Sequence, residues 1–229
     1  MEGPATFKPS LVRFLGQLKR NNNRPWFERN RALYEADVRE PVLAFIRAIA
    51  PLIEAISPHI FVSDLKVGGS MMRPYRDTRF GGSKLPYKTN VGIHFRHEYG
   101  EDAHAPGFWM HIEPGEFWLA LGMWRPDSAA LAKVRARIAE APEEWLAARN
   151  DAGFRAVWQV VGHALKRPPR GFDPNHPLID DIKRTEFLGF RQMRMADLYR
   201  RDVVKRVADA YATSAPFMRF LCGALGMRF

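Results

Sequence analysis

The residues on either side of Pro114-Gly115 constrain the chain most. Phe108, Met110 and Ile112 alternate with Trp109, His111 and Glu113, and after the Pro-Gly pair a second strand-like run extends from Phe117 to Met123. Side chains on a strand point to opposite faces with period two, so two such runs joined by a tight turn form an antiparallel hairpin with one buried face. Val91, Ile93 and Phe95 alternate in the same way with Gly92, His94 and Arg96, and Ile60, Val62, Leu65 and Val67 have a looser extended rhythm. The expectation is one antiparallel sheet of about three to five strands that holds Lys66 to Phe80 and Val91 to Met123.

The flanking segments change period. Leu11, Phe14, Leu15 and Leu18 have helical spacing and stop at Asn21-Asn22-Asn23. A longer stripe runs from Phe27 to Ile56, with Pro25 suited to a helix start and Pro41 expected to kink it. After the sheet, Asp127 or Ser128 is placed to cap a helix carrying Leu131, Val134 and Ile138, and Pro142 opens another. The segment Phe154 to Leu165 fits both periods. Pro174 to Ile182 reads as a short helix, Leu198 to Tyr211 as a strong one, and a last helix begins near Ser214. Helices, then hairpins, then helices describe an α+β fold, an antiparallel sheet packed by N-terminal and C-terminal helices, with residues 1–229 as a single domain.

Composition narrows the function classes. The 46% hydrophobic and 26% charged residues are those of a globular protein. The most apolar stretch, Val42 to Ile56, contains Arg47, Pro51 and Glu54 and falls short of the ~20 residues a membrane helix needs. The N-terminus has no basic segment followed by an apolar one, so a cytoplasmic protein is expected. Cys222 is the one cysteine, set in an apolar helical pattern, which suits a buried thiol in a reducing compartment.

Thirty-five basic and 25 acidic residues leave a net charge of +10, and the pI is about 10.0. The excess is uneven: residues 1–90 carry 15 basic and 8 acidic side chains, 91–150 carry 6 and 9, and 151–229 carry 14 and 8. Its densest part is Lys66 to Lys88, where Lys66, Arg73, Arg76, Arg79, Lys84 and Lys88 face the single acid Asp77. Arginine's planar fork grips phosphate or carboxylate with two parallel hydrogen bonds, lysine adds a point charge, and backbone N–H groups near Gly81-Gly82 suit an anion nest. Arg73, Arg76, Asp77, Arg79, Lys84, Tyr87, Lys88 and His111 are therefore the candidate ligand-binding residues. The competing reading is a folding staple, in which Asp77 pairs with a neighbouring arginine while Phe80 and Tyr87 anchor the loop in the core. The loop from Leu165 to Phe172 adds Lys166, Arg167 and Arg170, which enlarge the basic face if they fold against it.

The strand histidines offer a second grouping. If the strands pair in register, His94, His111 and Glu113 face one side, as a general acid/base pair or as a metal-ligand set. No metal-ligand spacing, dinucleotide fingerprint, nucleophile elbow, P-loop or RNA-recognition signature accompanies them, so no metal or cofactor is assigned.

Several short motifs occur together: Asn21-Asn22 with Trp26-Phe27, Arg76-Asp77-Thr78-Arg79-Phe80, Lys84-Leu85-Pro86-Tyr87-Lys88-Thr89, Gly122-Met123-Trp124-Arg125-Pro126, and Leu165-Lys166-Arg167-Pro168 with Gly171-Phe172. In these the chain resembles, from about Phe14 to Phe220, a widespread family of uncharacterised bacterial and fungal proteins catalogued as a domain of unknown function. The resemblance implies no catalytic roles. It has one departure, Gly81-Gly82-Ser83 where such proteins tend to carry serine and charged residues.

The reading that best covers the basic stretch is binding of a small anionic, phosphorylated ligand in a basic cleft, with catalysis left open. The alternatives are a nonspecific nucleic-acid-associated protein and a non-catalytic protein interaction module. A bounded basic pocket would favour the first, an extended basic groove the second, and an exposed apolar patch the third. Oligomeric state is not legible.

Overall fold

The computed structural model describes residues 7–76, 84–100 and 105–229. Its centre is a six-stranded antiparallel sheet of order β1-β2-β3-β4-β6-β5, formed by β1 (Ile60–Phe61), β2 (Val91–His97), β3 (Gly107–Glu113), β4 (Glu116–Met123), β5 (Gln159–Val161) and β6 (Phe187–Met193). The β3–β4 hairpin turns at Pro114-Gly115 as expected. Glu113 pairs with Glu116 across the turn, and Gly115 takes φ 94°, a conformation open to glycine because it lacks a Cβ.

The alternating pattern places Ile93, Phe95, Phe108, Met110, Phe117, Leu119 and Leu121 on one fully buried face. Helices cover it. α1 (Pro9–Arg20) buries Leu11, Phe14, Leu15 and Leu18, and the next helical stretch buries Val42, Phe45, Ile46, Ile49 and Ile53. That stretch is divided into α2 (Arg24–Arg29), α3 (Arg31–Tyr34), a π-helical turn (Glu35–Arg39) and α4 (Glu40–Ile56). The expected disturbance at Pro41 has a clear cause. Proline has no N–H to give the carbonyl four residues back, and the wider turn just before it absorbs the missing bond.

C-terminal to β4 lie α5 (Ser128–Glu140), α6 (Pro142–Arg149), α7 (Ala152–Val157), α8 (Ile179–Ile182), α9 (Met195–Leu198), α10 (Val203–Ala212) and α11 (Ala215–Ala224). Asp127 caps α5 by accepting from the Ala130 N–H at 2.7 Å. α10 is tied to the sheet by Tyr211, whose ring stacks on Phe108 at 4.4 Å and whose hydroxyl donates to the Trp109 carbonyl at 2.6 Å. The helix from Ser128 packs against α6, α8 and α11. Cys222 is buried in α11, and burial pushes its thiol up to about 12.

Three expectations need correcting, and two stretches that the sequence left undecided are resolved. Of the expected Lys66–Phe80 strand, residues 77–80 lie outside the described residues, and among residues 66–76 only Ser70–Met72 runs beside the sheet: the Met72 N–H donates to Gly92 and the His94 N–H to Ser70. A turn through Gly68, at φ 74°, and the N–H missing from Pro74 keep the flanking residues from forming a ladder. Phe154 to Leu165 satisfies two periods because it is two elements, helix α7 followed by strand β5. The short helix expected from Pro174 covers only Ile179–Ile182, and Leu198 to Tyr211 divides into α9 and α10. Finally, β6 carries no sequence signal. Phe187, Leu188 and Phe190 put apolar groups on both faces, so neither period stands out, yet it lies between β4 and β5.

Candidate anion-binding site

The basic stretch begins at the outer edge of β2 and continues as a two-stranded ribbon. The Arg76 N–H donates to Pro86 at 2.9 Å, the Lys88 N–H donates to Pro74 at 2.7 Å, and Tyr75 lies opposite Tyr87. α2 anchors the ribbon. Tyr87 is 1% exposed and its ring lies flat on Phe27 at 4.1 Å. Its backbone is held from both sides by Asn22, which donates from Nδ2 to the carbonyl at 2.9 Å and accepts at Oδ1 from the N–H at 3.1 Å. This gives Asn22 and Phe27 of the Asn-Asn and Trp-Phe motifs a structural role: they seat the ribbon, while Asn21 bonds back to the Gln17 carbonyl and Trp26 packs on Phe14. Tyr87 is therefore a core residue, contrary to its selection as a ligand donor.

Three cations of the ribbon converge. Lys88 is half-buried, and its ammonium is held below the usual lysine range first by burial and then by the nearby Arg73 and Arg76 guanidinium groups. The Arg76 Nε is buried without a hydrogen-bond partner. Among the described residues no carboxylate pairs with Lys66, Arg73, Arg76, Lys84 or Lys88. Lys84 is exposed, apart from any described ion pair. Asp77 and Arg79, with Gly81-Gly82-Ser83, lie outside the described residues.

Arg73 also lines a pocket of about 510 Å³, bounded by α2, α3, the π-helical turn, β1 and the Leu65–Tyr75 segment. Its basic residues are Arg31, Arg39, Lys66, Arg73 and Arg96, against the single acid Glu35. Two of these cations are already engaged, Arg31 by Glu28 at 2.7 Å and Arg39 by Glu35 at 2.9 Å. Arg96 donates to the Gly68 carbonyl at 2.8 Å and lies over the Phe61 ring. His94 contributes a neutral ring: burial, then Arg96, holds it down at about 4, and it stacks on Trp109 at 3.8 Å with Nε2 buried and unpartnered.

The expected shared face of His94, His111 and Glu113 is present, since His94 pairs with Trp109 and His111 with Gly92. The three do not form one group. His111 stacks on Trp118 at 4.5 Å, contacts the Asn90 amide at 3.3 Å and has Glu113 at 3.6 Å. Glu116 completes that cluster, with one ligand atom from each of His111, Glu113 and Glu116 within 4.8 Å of the others, a donor set of the kind that holds a divalent cation. His111 therefore stands apart from the basic pocket rather than in it. The Leu165–Phe172 loop is also remote. Its first residue pairs with Lys183 beyond β5, the strand at the opposite end of the sheet from β1 and β2.

A second cavity, beside Trp158, is also lined by arginines, but its Arg149 and Arg184 both pair with the buried Asp181. Of its three arginines only Arg155 has no described counter-charge, whereas the first pocket has Lys66, Arg73 and Arg96 without one.

The fold and this pocket define an α+β protein with a partly uncompensated cationic cleft at one edge of an antiparallel sheet. Residues 10–220 match the model of a family described as conserved hypothetical protein (DUF2461), and the chain belongs to that family. No curated protein and no solved structure matches the chain. Among the described residues no helix is long and apolar enough to cross a membrane.

Proposed function

We propose that this protein binds a small anionic, phosphorylated ligand, gripped by Arg73, Arg76 and Lys88 at the edge of the pocket. The observation that carries the reading is the half-buried Lys88 beside two arginines, with the Arg76 Nε lacking a partner. Like charges gathered close together repel, and a buried donor left unmade costs about 1–3 kcal/mol. An anion with several acceptor oxygens relieves both. A bounded cavity supports a small ligand over a nucleic-acid strand, whose charge repeats along an extended groove. The single buried cysteine fits action in the reducing cytoplasm.

The test is thermal unfolding of the wild type, Arg76→Gln and Lys88→Gln with inorganic phosphate and a panel of phosphorylated metabolites. A ligand at about 100 times its Kd adds ~2.7 kcal/mol, or roughly 5–10 °C for a chain of this size. The wild type should show such a shift with at least one phosphate compound, and each variant should lose most of it. Equal shifts in all three proteins, or none in the wild type, would rule the site out.

A further inference from the structure

We infer that the ligand is the phosphate ester of an apolar alcohol, aromatic or aliphatic, rather than a phosphosugar. This inference rests on the anion site proposed above and concerns what lies beyond the phosphate. Arg73 belongs both to the cation cluster and to the pocket wall, so an anion held there lies beside the pocket, which is within reach to house its remaining atoms. That pocket is lined by the buried apolar residues Phe27, Tyr34 and Leu43, together with Met71 and Met72.

Its mouth is apolar too. Phe61, Leu65 and Val67 are 40%, 63% and 86% exposed, an arrangement that leaves large hydrophobic side chains in water unless something covers them. A bound apolar group would cover them and gain ~25 cal/mol for each Å² removed from water.

Recognition of sugar hydroxyls needs the opposite lining. Vicinal hydroxyls are held by carboxylates and side-chain amides, which accept and donate in pairs. Among the described lining residues there is no Asp, Asn or Gln; the one carboxylate, Glu35, is engaged by Arg39, and the Ser70 hydroxyl accepts from the Ser63 N–H at 3.0 Å. The volume of about 510 Å³ suits a ligand the size of a substituted aryl or medium-chain alkyl phosphate.

Calorimetric titration of the full chain with phenyl phosphate, octyl phosphate, glucose 6-phosphate and inorganic phosphate tests this. Phenyl or octyl phosphate should bind at least tenfold more tightly than the other two. Phe61→Ser and Leu65→Ser alter exposed side chains and leave the core intact. Each should cut that advantage several-fold while inorganic phosphate binds as before. Equal affinity for all four, or preference for glucose 6-phosphate, would overturn the inference while leaving the anion site standing. No binding of any phosphate would overturn both. Retention of the full preference in the Phe61 and Leu65 variants would overturn the assignment of this pocket to the apolar body.

Discussion

Asn22 holds both backbone groups of Tyr87, donating to its carbonyl at 2.9 Å and accepting from its N–H at 3.1 Å. A single side-chain amide thereby replaces one step of a β-ladder and fixes the basic ribbon to the end of α1. Asn22→Ala leaves two polar groups of a buried residue unmatched, at a cost of ~1–3 kcal/mol. A fall in melting temperature of several degrees is expected, together with weaker phosphate binding, since the ribbon carries Arg76 and Lys88. A variant that melts like the wild type would show that the pairing contributes nothing.

Lys88 distinguishes a ligand site from a folding staple. Its amine is held down by burial and by Arg73 and Arg76. Its folded pKa lies below the unfolded value, so the unfolded chain holds more protons between the two. Stability is accordingly lowest with the lysine charged, and it rises with pH through that alkaline window. Lys88→Met should raise the melting temperature of the free protein at neutral pH and abolish its phosphate-induced shift. A staple requires the reverse, a loss of stability with no ligand effect to remove.

His94 should give acid sensitivity. Burial and Arg96 hold it at about 4, below the ordinary 6.5. The unfolded chain binds the extra proton between these values, so this contribution is complete above about pH 6.5 and disappears as pH falls toward 4. At one pKa unit per 1.36 kcal/mol the loss is ~3 kcal/mol. Urea unfolding at pH 4.5 and 7.5 should show a larger decrease for wild type than for His94→Gln. Parallel pH profiles would place the effect elsewhere.

Gly122 of β4 lies opposite Leu188 of β6. It takes φ 103°, and a Cβ there would lie 2.0 Å from the Phe187 carbonyl oxygen. Gly122→Ala combines a disfavoured backbone with that collision and should cost at least about 2 kcal/mol. Gly171, at φ 90° with open space around it, is the control: Gly171→Ala carries only the backbone strain. Equal melting temperatures for the two variants would refute the close approach.

Period determined much of this protein. Alternation placed Ile93, Phe95, Phe108 and Met110 on a buried face, Pro114-Gly115 set the hairpin, and helical spacing marked Leu11, Phe14, Leu15 and Leu18, because each of these signals is local and depends only on which face meets the core. β6 was invisible because apolar groups lie on both of its faces, and its place between β4 and β5 depends on partners far along the chain.

The same division runs through the candidate site. Charge density along the sequence pointed to Arg73, Arg76 and Lys88, since nothing close by in sequence except Asp77 offsets them. Tertiary structure decided between the two readings of Tyr87 by laying its ring on Phe27, added Glu116 to the His111 and Glu113 that alternation had already put on one face, and set Phe61, Leu65 and Val67 at the pocket beside Arg73. Tyr87 and Phe27 lie 60 residues apart in sequence, whereas the other two groupings join near neighbours through the β3–β4 turn and the turn at Gly68. Strand register and helix packing bring them together, and no local period or charge count encodes that geometry.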